Sequence, residues 1–263
     1  MDMEYYYKNQ RVEDKDNLKA LTENWKHGKS AASIGEFVFE HSGIECITSI
    51  VDRILKNINN GAVKSFNRAE FEHETKFDKF GQGRMHDLAL FGTTNNGKSV
   101  FVGIEAKVNE GFDTRDIQSA YLSGMLEHVN NRNSNITSRV EDLIKRNNFK
   151  EQKRKNDSKT INRFSKEQLG LKYQLLYSTI GTAVEDADIC ILLVLVFKTD
   201  LYDENCGADN YRDYIAFMNA ITSEKISEDM DLRKVDVFTD AALENKKTIY
   251  AAYEYIDAKG WKE

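Results

Sequence analysis

The chain has 263 residues, long enough to bury its own core, and its net charge of −6 with a pI near 5.6 argues against a surface devoted to coating DNA or anionic lipid. Cys46, Cys190 and Cys206 are too few and too scattered for a zinc knuckle or a disulfide framework, no apolar run reaches a membrane span, and the opening MDMEYYYKNQ resembles neither a secretory nor an Arg-rich transit signal, so a soluble, cytoplasmic protein with no membrane partner is expected. The charge is uneven: residues 131 to 172 hold twelve Lys or Arg against five Asp or Glu, which keeps nucleic acid open as a substrate.

In chain order, residues 1 to 29 read as a polar lead-in, helical or irregular, and 30 to 263 as a single domain. A helix is expected from Ser30, with Ile34, Phe37, Val38 and His41 at three- and four-residue steps and Gly43 as its stop. A second helix carries the continuous apolar stripe Ile47, Ile50, Val51, Ile54, Leu55 and Ile58, and Asn59, Asn60 and Gly61 end it. The period then changes. Residues 69 to 79, 85 to 92 and 99 to 108 read as three consecutive strands, and TTNNGK between the last two makes them a hairpin.

A helix follows at 114 to 130, with Ile117, Tyr121, Leu122, Met125 and Val129 expected on its inner side. The basic stretch, an insertion at about 131 to 168, suits contact with a phosphate backbone or simply a solvated surface. After it come a helix from about Leu169 to Val184, a central buried strand at 188 to 198 (DICILLVLVFK), a helix at about 211 to 222 and a last strand near 248 to 256. The order gives an α/β fold with a central mixed sheet flanked by helices.

A hairpin turning about Asn96 pairs residues whose numbers sum to 192, which sets Asp87 opposite Glu105. Strand alternation adds Lys107 to that face and turns Leu88, Leu90, Ile104 and Ala106 the other way. Two acids and a lysine inside apolar strands are costly unless neutralised, and a bound cation would do so. Hard oxygen ligands suit Mg²⁺, with Mn²⁺ as a substitute, rather than zinc. Such an ion polarises a phosphoryl oxygen and lowers the pKa of a bound water, the needs of phosphodiester hydrolysis.

Asp87, seventeen intervening residues and then Glu105-Ala106-Lys107, on the second and third strands after a helix, resemble the PD-(D/E)XK motif of restriction endonucleases and RecB-like nucleases. The resemblance spans roughly residues 30 to 200 and implies a restriction-endonuclease-like αβββαβ core and a magnesium-dependent nuclease acting on nucleic acid, DNA foremost. It implies metal ligation by Asp87 and Glu105, with Lys107 at the nucleophile. His86 stands where the motif has proline and reads as a packed neighbour. Members often add a glutamate from the first helix, for which Glu36 is the candidate with Glu40 in reserve; Ser33 to Glu36 also reads as a capping box, which would give Glu36 no catalytic task. RecB-like members carry a Gln and a Tyr on a later helix, here Gln118 with Tyr121 or Gln174 with Tyr177; Gln174 is the better placed, because its helix leads into the buried strand. Many such nucleases act as homodimers, and the sequence leaves that open. The alternative is a catalytically silent fold of this type that binds nucleic acid or protein.

One competing motif is set aside. Gly92 to Ser99 matches the P-loop pattern, but that loop must open a helix whose N-terminus faces the phosphates, and the residues that follow are strand-like.

Overall fold

The computed structural model describes residues 3 to 261 except 24, 27, 131, 150 to 164 and 224 to 229. It is an α/β fold around one eight-stranded mixed sheet. The chain runs β1 (Glu4–Tyr7), β2 (Gln10–Val12), α1 (Lys15–Leu21), α2 (Ser30–Glu40), α3 (Gly43–Asn57), β3 (Val63–Thr75), β4 (Arg84–Thr94) and β5 (Ser99–Lys107). It continues through α4 (Ile117–Val129), α5 (Ile136–Arg146), α6 (Lys166–Leu169), α7 (Tyr173–Val184), β6 (Ile189–Lys198), α8 (Glu204–Ile221), β7 (Arg233–Phe238) and β8 (Lys246–Asp257).

The strand order is β2-β1-β3-β4-β5-β6-β8-β7. Strands β3, β4 and β5 form an antiparallel meander, and β5 then pairs in parallel with β6. The expected α/β class, a mixed central sheet flanked by helices, is therefore present. β6 is interior and buried on both faces, which is why its sequence is continuously apolar rather than alternating. The β4–β5 hairpin follows the expected register, from Leu88 opposite Ile104 to Thr93 opposite Ser99. Gly97 takes a left-handed φ of 78° in the turn, Thr94 N donates to Lys98 O, and the stretch from Gly92 to Ser99 leads into a strand, not a helix.

Two cores lie on the two faces of the sheet. Leu88, Leu90, Val102, Ile104 and Ala106 meet Leu18 of α1, Ile34 and Phe37 of α2 and the α3 stripe. Ala89, Phe101, Leu192 and Val194 meet Ile117, Val140, Leu143, Leu176, Ile180 and Phe217 on the other side. Among the described residues no helix is long and apolar enough to cross a membrane.

Several expectations need correction. The lead-in is helical at α1, as expected, but is not otherwise loose: β1 pairs in parallel with β3 and antiparallel with β2, extending the sheet. The first strand of the meander begins at Val63, before its alternation becomes readable. On α4 the buried positions are Ile117, Ala120 and Gly124, whereas Leu122, Met125, Leu126 and Val129 are exposed. A Cβ on Gly124 would meet Thr137 N at 2.9 Å, so close approach of α5 selects the small-residue face. The strand β7, short and rich in charge, is not among the expected strands. Within the basic stretch, α5 is amphipathic, with Val140 and Leu143 buried; residues 150 to 164 of that stretch lie outside the described residues.

Candidate active site

The site begins with a break in strand alternation. Phe71 and Leu88 face the α2–α3 core, yet His73 and His86, two residues away along the same strands, face the opposite core beside Phe101. Residues of the same parity share a face in a regular strand, so both strands turn over at the intervening pair, Glu72 and Asp87. Glu72 has a φ of 48°, a left-handed conformation that a non-glycine residue adopts at a cost.

The turn-over sends Asp87 to the seam between β4 and β5, where the ladder has ended. Its Oδ2 accepts a hydrogen bond from Ala106 N at 2.7 Å, taking the place a strand carbonyl would otherwise fill. Asp87 also lines a recess of about 20 Å³ with Tyr7, Leu18, Ile34, Phe71 and Glu72, room for one water-sized occupant. Glu72 is held there by the Tyr7 hydroxyl at 3.1 Å and by Lys8 Nζ at 2.6 Å.

Glu105 and Lys107 are buried on the other face, against α7. Lys107 Nζ donates to Glu105 Oε1 at 2.7 Å and to Gln174 Oε1 at 3.5 Å. Gln174 Nε2 donates to the same Glu105 oxygen. The second oxygen, Oε2, meets the Arg84 guanidinium, which also lies over the Tyr177 ring at 5.4 Å. Asp87 and Glu105 thus do not stand side by side on one face, as simple alternation implies; they reach a common seam from its two sides. Asp87, Glu105, Lys107 and Gln174 are brought together, and Gln118, exposed on α4, is not.

The capping-box reading of Glu36 fails. Helix α2 starts at Ser30, Ser33 is buried inside it, and Glu36 is a buried mid-helix residue on the element that packs against β4 and β5. It lies within electrostatic reach of Lys15, whose ammonium pairs with Glu40 at 2.7 Å. Glu40 is thus paired with α1 at the partly exposed end of the helix.

Electrostatics follow from burial. Removal from water raises the Asp87 carboxyl, while Lys107, Arg84 and the Ala106 amide act to lower it and Glu110 adds to the rise. Burial lowers Lys107, with Asp87 opposing and Arg84 reinforcing the change. His86 is fully buried, its ring nitrogens have no hydrogen-bond partner among the described residues, and burial followed by Arg84 and His73 push its pKa well below the usual imidazole value. It is a packed neutral ring, seated where Gly103 leaves space; a Cβ there would approach it to 2.7 Å.

Arg84 is the residue that sequence reasoning missed. The available signal was one arginine opening an otherwise apolar strand three positions before Asp87.

The donor set can be tested against a divalent ion. Among the described residues no group of three or more His, Cys, Asp or Glu is gathered to hold a metal. Magnesium, however, ordinarily takes only one or two protein carboxylates and keeps water and substrate oxygens for the rest. Asp87 Oδ1 receives no hydrogen bond from the described residues and the recess beside it is of ionic size, whereas Glu105 Oε2 is engaged by the Arg84 guanidinium. An ion there would find Asp87 Oδ1 ready as a ligand, and Glu105 Oε2 could join it only in place of Arg84.

A family model described as "Domain of unknown function (DUF6946)" matches residues 10–246. The chain belongs to the DUF6946 family. That match takes in β2 and every site residue of this DUF6946 chain, so the seam lies within the family's domain. Comparisons with curated proteins and with solved structures return no match.

Proposed function

We propose that the chain is a magnesium-dependent phosphodiesterase of the PD-(D/E)XK type, a nuclease acting on nucleic acid, with DNA the first substrate to test. The observation that carries the reading is the hydrogen-bonded group of Glu105, Lys107 and Gln174, with Asp87 on the Ala106 amide within electrostatic reach of Lys107 and Arg84. The αβββαβ order and the αβ packing around it support the same reading. Free cysteines at Cys46, Cys190 and Cys206 suit a cytoplasmic setting.

Asp87 and Glu105 would hold Mg²⁺, or Mn²⁺ in its place, with Glu36 as a further acid on the adjoining helix. When bound, the ion polarises a phosphoryl oxygen and makes hydroxide accessible from water near neutral pH. Lys107, steered by Glu105 and Gln174, would hydrogen-bond the attacking water through Nζ and offset negative charge on the phosphorus. Gln174 fixes the direction of that ammonium, and the apolar walls on either face keep bulk water out.

The second reading, a silent fold that binds nucleic acid or protein, draws on a specific observation. Glu105 is already neutralised by Arg84 and Lys107, an arrangement a purely structural ion cluster would also adopt.

The test is incubation with plasmid and with single-stranded DNA, with magnesium or with chelator. Wild type is compared with Lys107→Met and Glu105→Gln, chosen to limit buried uncompensated charge, and circular dichroism checks that each variant folds. Loss of cleavage in both folded variants and in chelator is expected. Undiminished cleavage by Lys107→Met would overturn the assignment.

A further inference from the structure

Arg84 is an unusual resident of an apolar sheet. It is only 6% exposed; Nη2 meets Glu105 Oε2, and Nε finds no hydrogen-bond partner among the described residues. Its stem packs against α7 where Gly181 leaves room, since a Cβ there would lie 2.8 Å from Arg84 Cβ. The guanidinium rests over Tyr177 and against Glu105 Oε2, the oxygen that Lys107 and Gln174 leave alone. Burying a guanidinium is expensive, and one carboxylate oxygen satisfies only part of its forked donor set.

Among the four central side chains the charges balance, with Glu110 and Asp113 acting on Lys107 from outside the cluster. Asp87 and Glu105 supply two negative charges, and Arg84 and Lys107 supply two positive ones. A divalent ion entering alone would leave a buried excess of positive charge, which the interior resists. A phosphodiester entering with it supplies an anion, and the guanidinium fork matches phosphate oxygens in a way a point charge does not.

We infer that Arg84 is a built-in counter-cation that competes with the divalent ion for Glu105, and that on substrate entry its guanidinium passes to the phosphate. Binding of metal and of phosphodiester is then cooperative, with Arg84 carrying the coupling. The inference rests on the metal-dependent reading above, and no covalent bond changes in the exchange.

The test measures Mn²⁺ binding by electron paramagnetic resonance, at constant ionic strength, with and without a short single-stranded phosphorothioate oligonucleotide. Wild type is compared with Arg84→Met, Arg84→Lys and Glu105→Gln, each checked for folding by circular dichroism. Arg84→Met should bind Mn²⁺ roughly tenfold more tightly than wild type when no DNA is present, because the competing charge is gone. The oligonucleotide should tighten Mn²⁺ binding about tenfold in wild type and hardly at all in Arg84→Met. Arg84→Lys, which keeps a charge but lacks the fork, should retain weak Mn²⁺ binding and lose most of the coupling; with the wild-type measurement, it keeps the test decisive should Arg84→Met not fold. Unchanged or weaker Mn²⁺ binding in Arg84→Met, with folded Glu105→Gln abolishing it, would overturn the role of Arg84 and leave the metal site standing. Absence of any Glu105-dependent Mn²⁺ binding would overturn both.

Discussion

His73 ties the strand that precedes the site to the helix that supplies Gln174. Its ring bridges two carboxylates, with Nδ1 at 3.1 Å from Glu70 Oε2 and Nε2 at 3.0 Å from Glu185 Oε1, and Glu185 is the C-cap of α7. Burial acts to lower its pKa, but the bonds to Glu185 and Glu70 outweigh that and raise it to about 9. A rise of this size from the ordinary imidazole value sets a ceiling of about 3 kcal/mol on what protonation adds to stability. The ring also lines a polar cleft of about 670 Å³, and solvent screening there reduces the figure to ~1–2 kcal/mol.

The sign follows from the direction of the shift. A histidine whose folded pKa is raised contributes in full below its unfolded value, near 6.5, and the contribution disappears as pH climbs through about 9. Urea denaturation of wild type and His73→Gln should therefore show a gap of ~1–2 kcal/mol at pH 6 that closes by about pH 10. Neighbouring groups bear on the comparison: Arg68 also pairs with Glu70, and Thr75 donates to Glu185, so both carboxylates keep partners in the variant. Lys247 Nζ donates to the Glu185 carbonyl and stays in place. A gap that is the same at both pH values would refute the protonated bridge.

Two further outcomes follow from packing. Gly181→Ala should cost about 1–3 kcal/mol in thermal or urea unfolding, because the new methyl would meet the Arg84 stem at 2.8 Å and that stem is fixed between α7 and β4. Lys98→Ala should leave stability within about 0.5 kcal/mol, since Lys98 makes one exposed hydrogen bond to Asn60, and calorimetry should detect no ATP binding to either form.

The elements were legible where burial imposes one clear period. The α3 stripe, the β4–β5 hairpin with its register and the two-sided apolar β6 all follow from spacing alone. Legibility failed where a segment's fate depends on distant partners. Strand β1 contains Tyr5, Tyr6 and Tyr7 but is only four residues long, and it becomes a strand because Arg68 to Phe71 offer it a parallel edge. Helix α4 misled for a related reason. Its larger residues suggested an inner face, but α5 crosses so close at Gly124 that the small residues go inside.

In the site, residue types and register identified which strands carry the chemistry, but not the path of each side chain. Alternation predicts that Asp87 shares a face with Glu105; a left-handed residue at Glu72, on a third strand, redirects it. A glutamate gives no local signal for positive φ, so that kink could not be read from composition. Arg84 was hidden for the opposite reason: one buried arginine at a strand end reads as an ordinary edge residue until its partners are known. Glu105 nevertheless lies among two cations and an amide, with Asp87 across the seam, so replacing any one member leaves another buried and uncompensated. Alanine substitutions here therefore probe the fold as well as the chemistry. Only near-isosteric changes such as Glu105→Gln, or a binding readout that moves in the favourable direction as expected for Arg84→Met, separate the two.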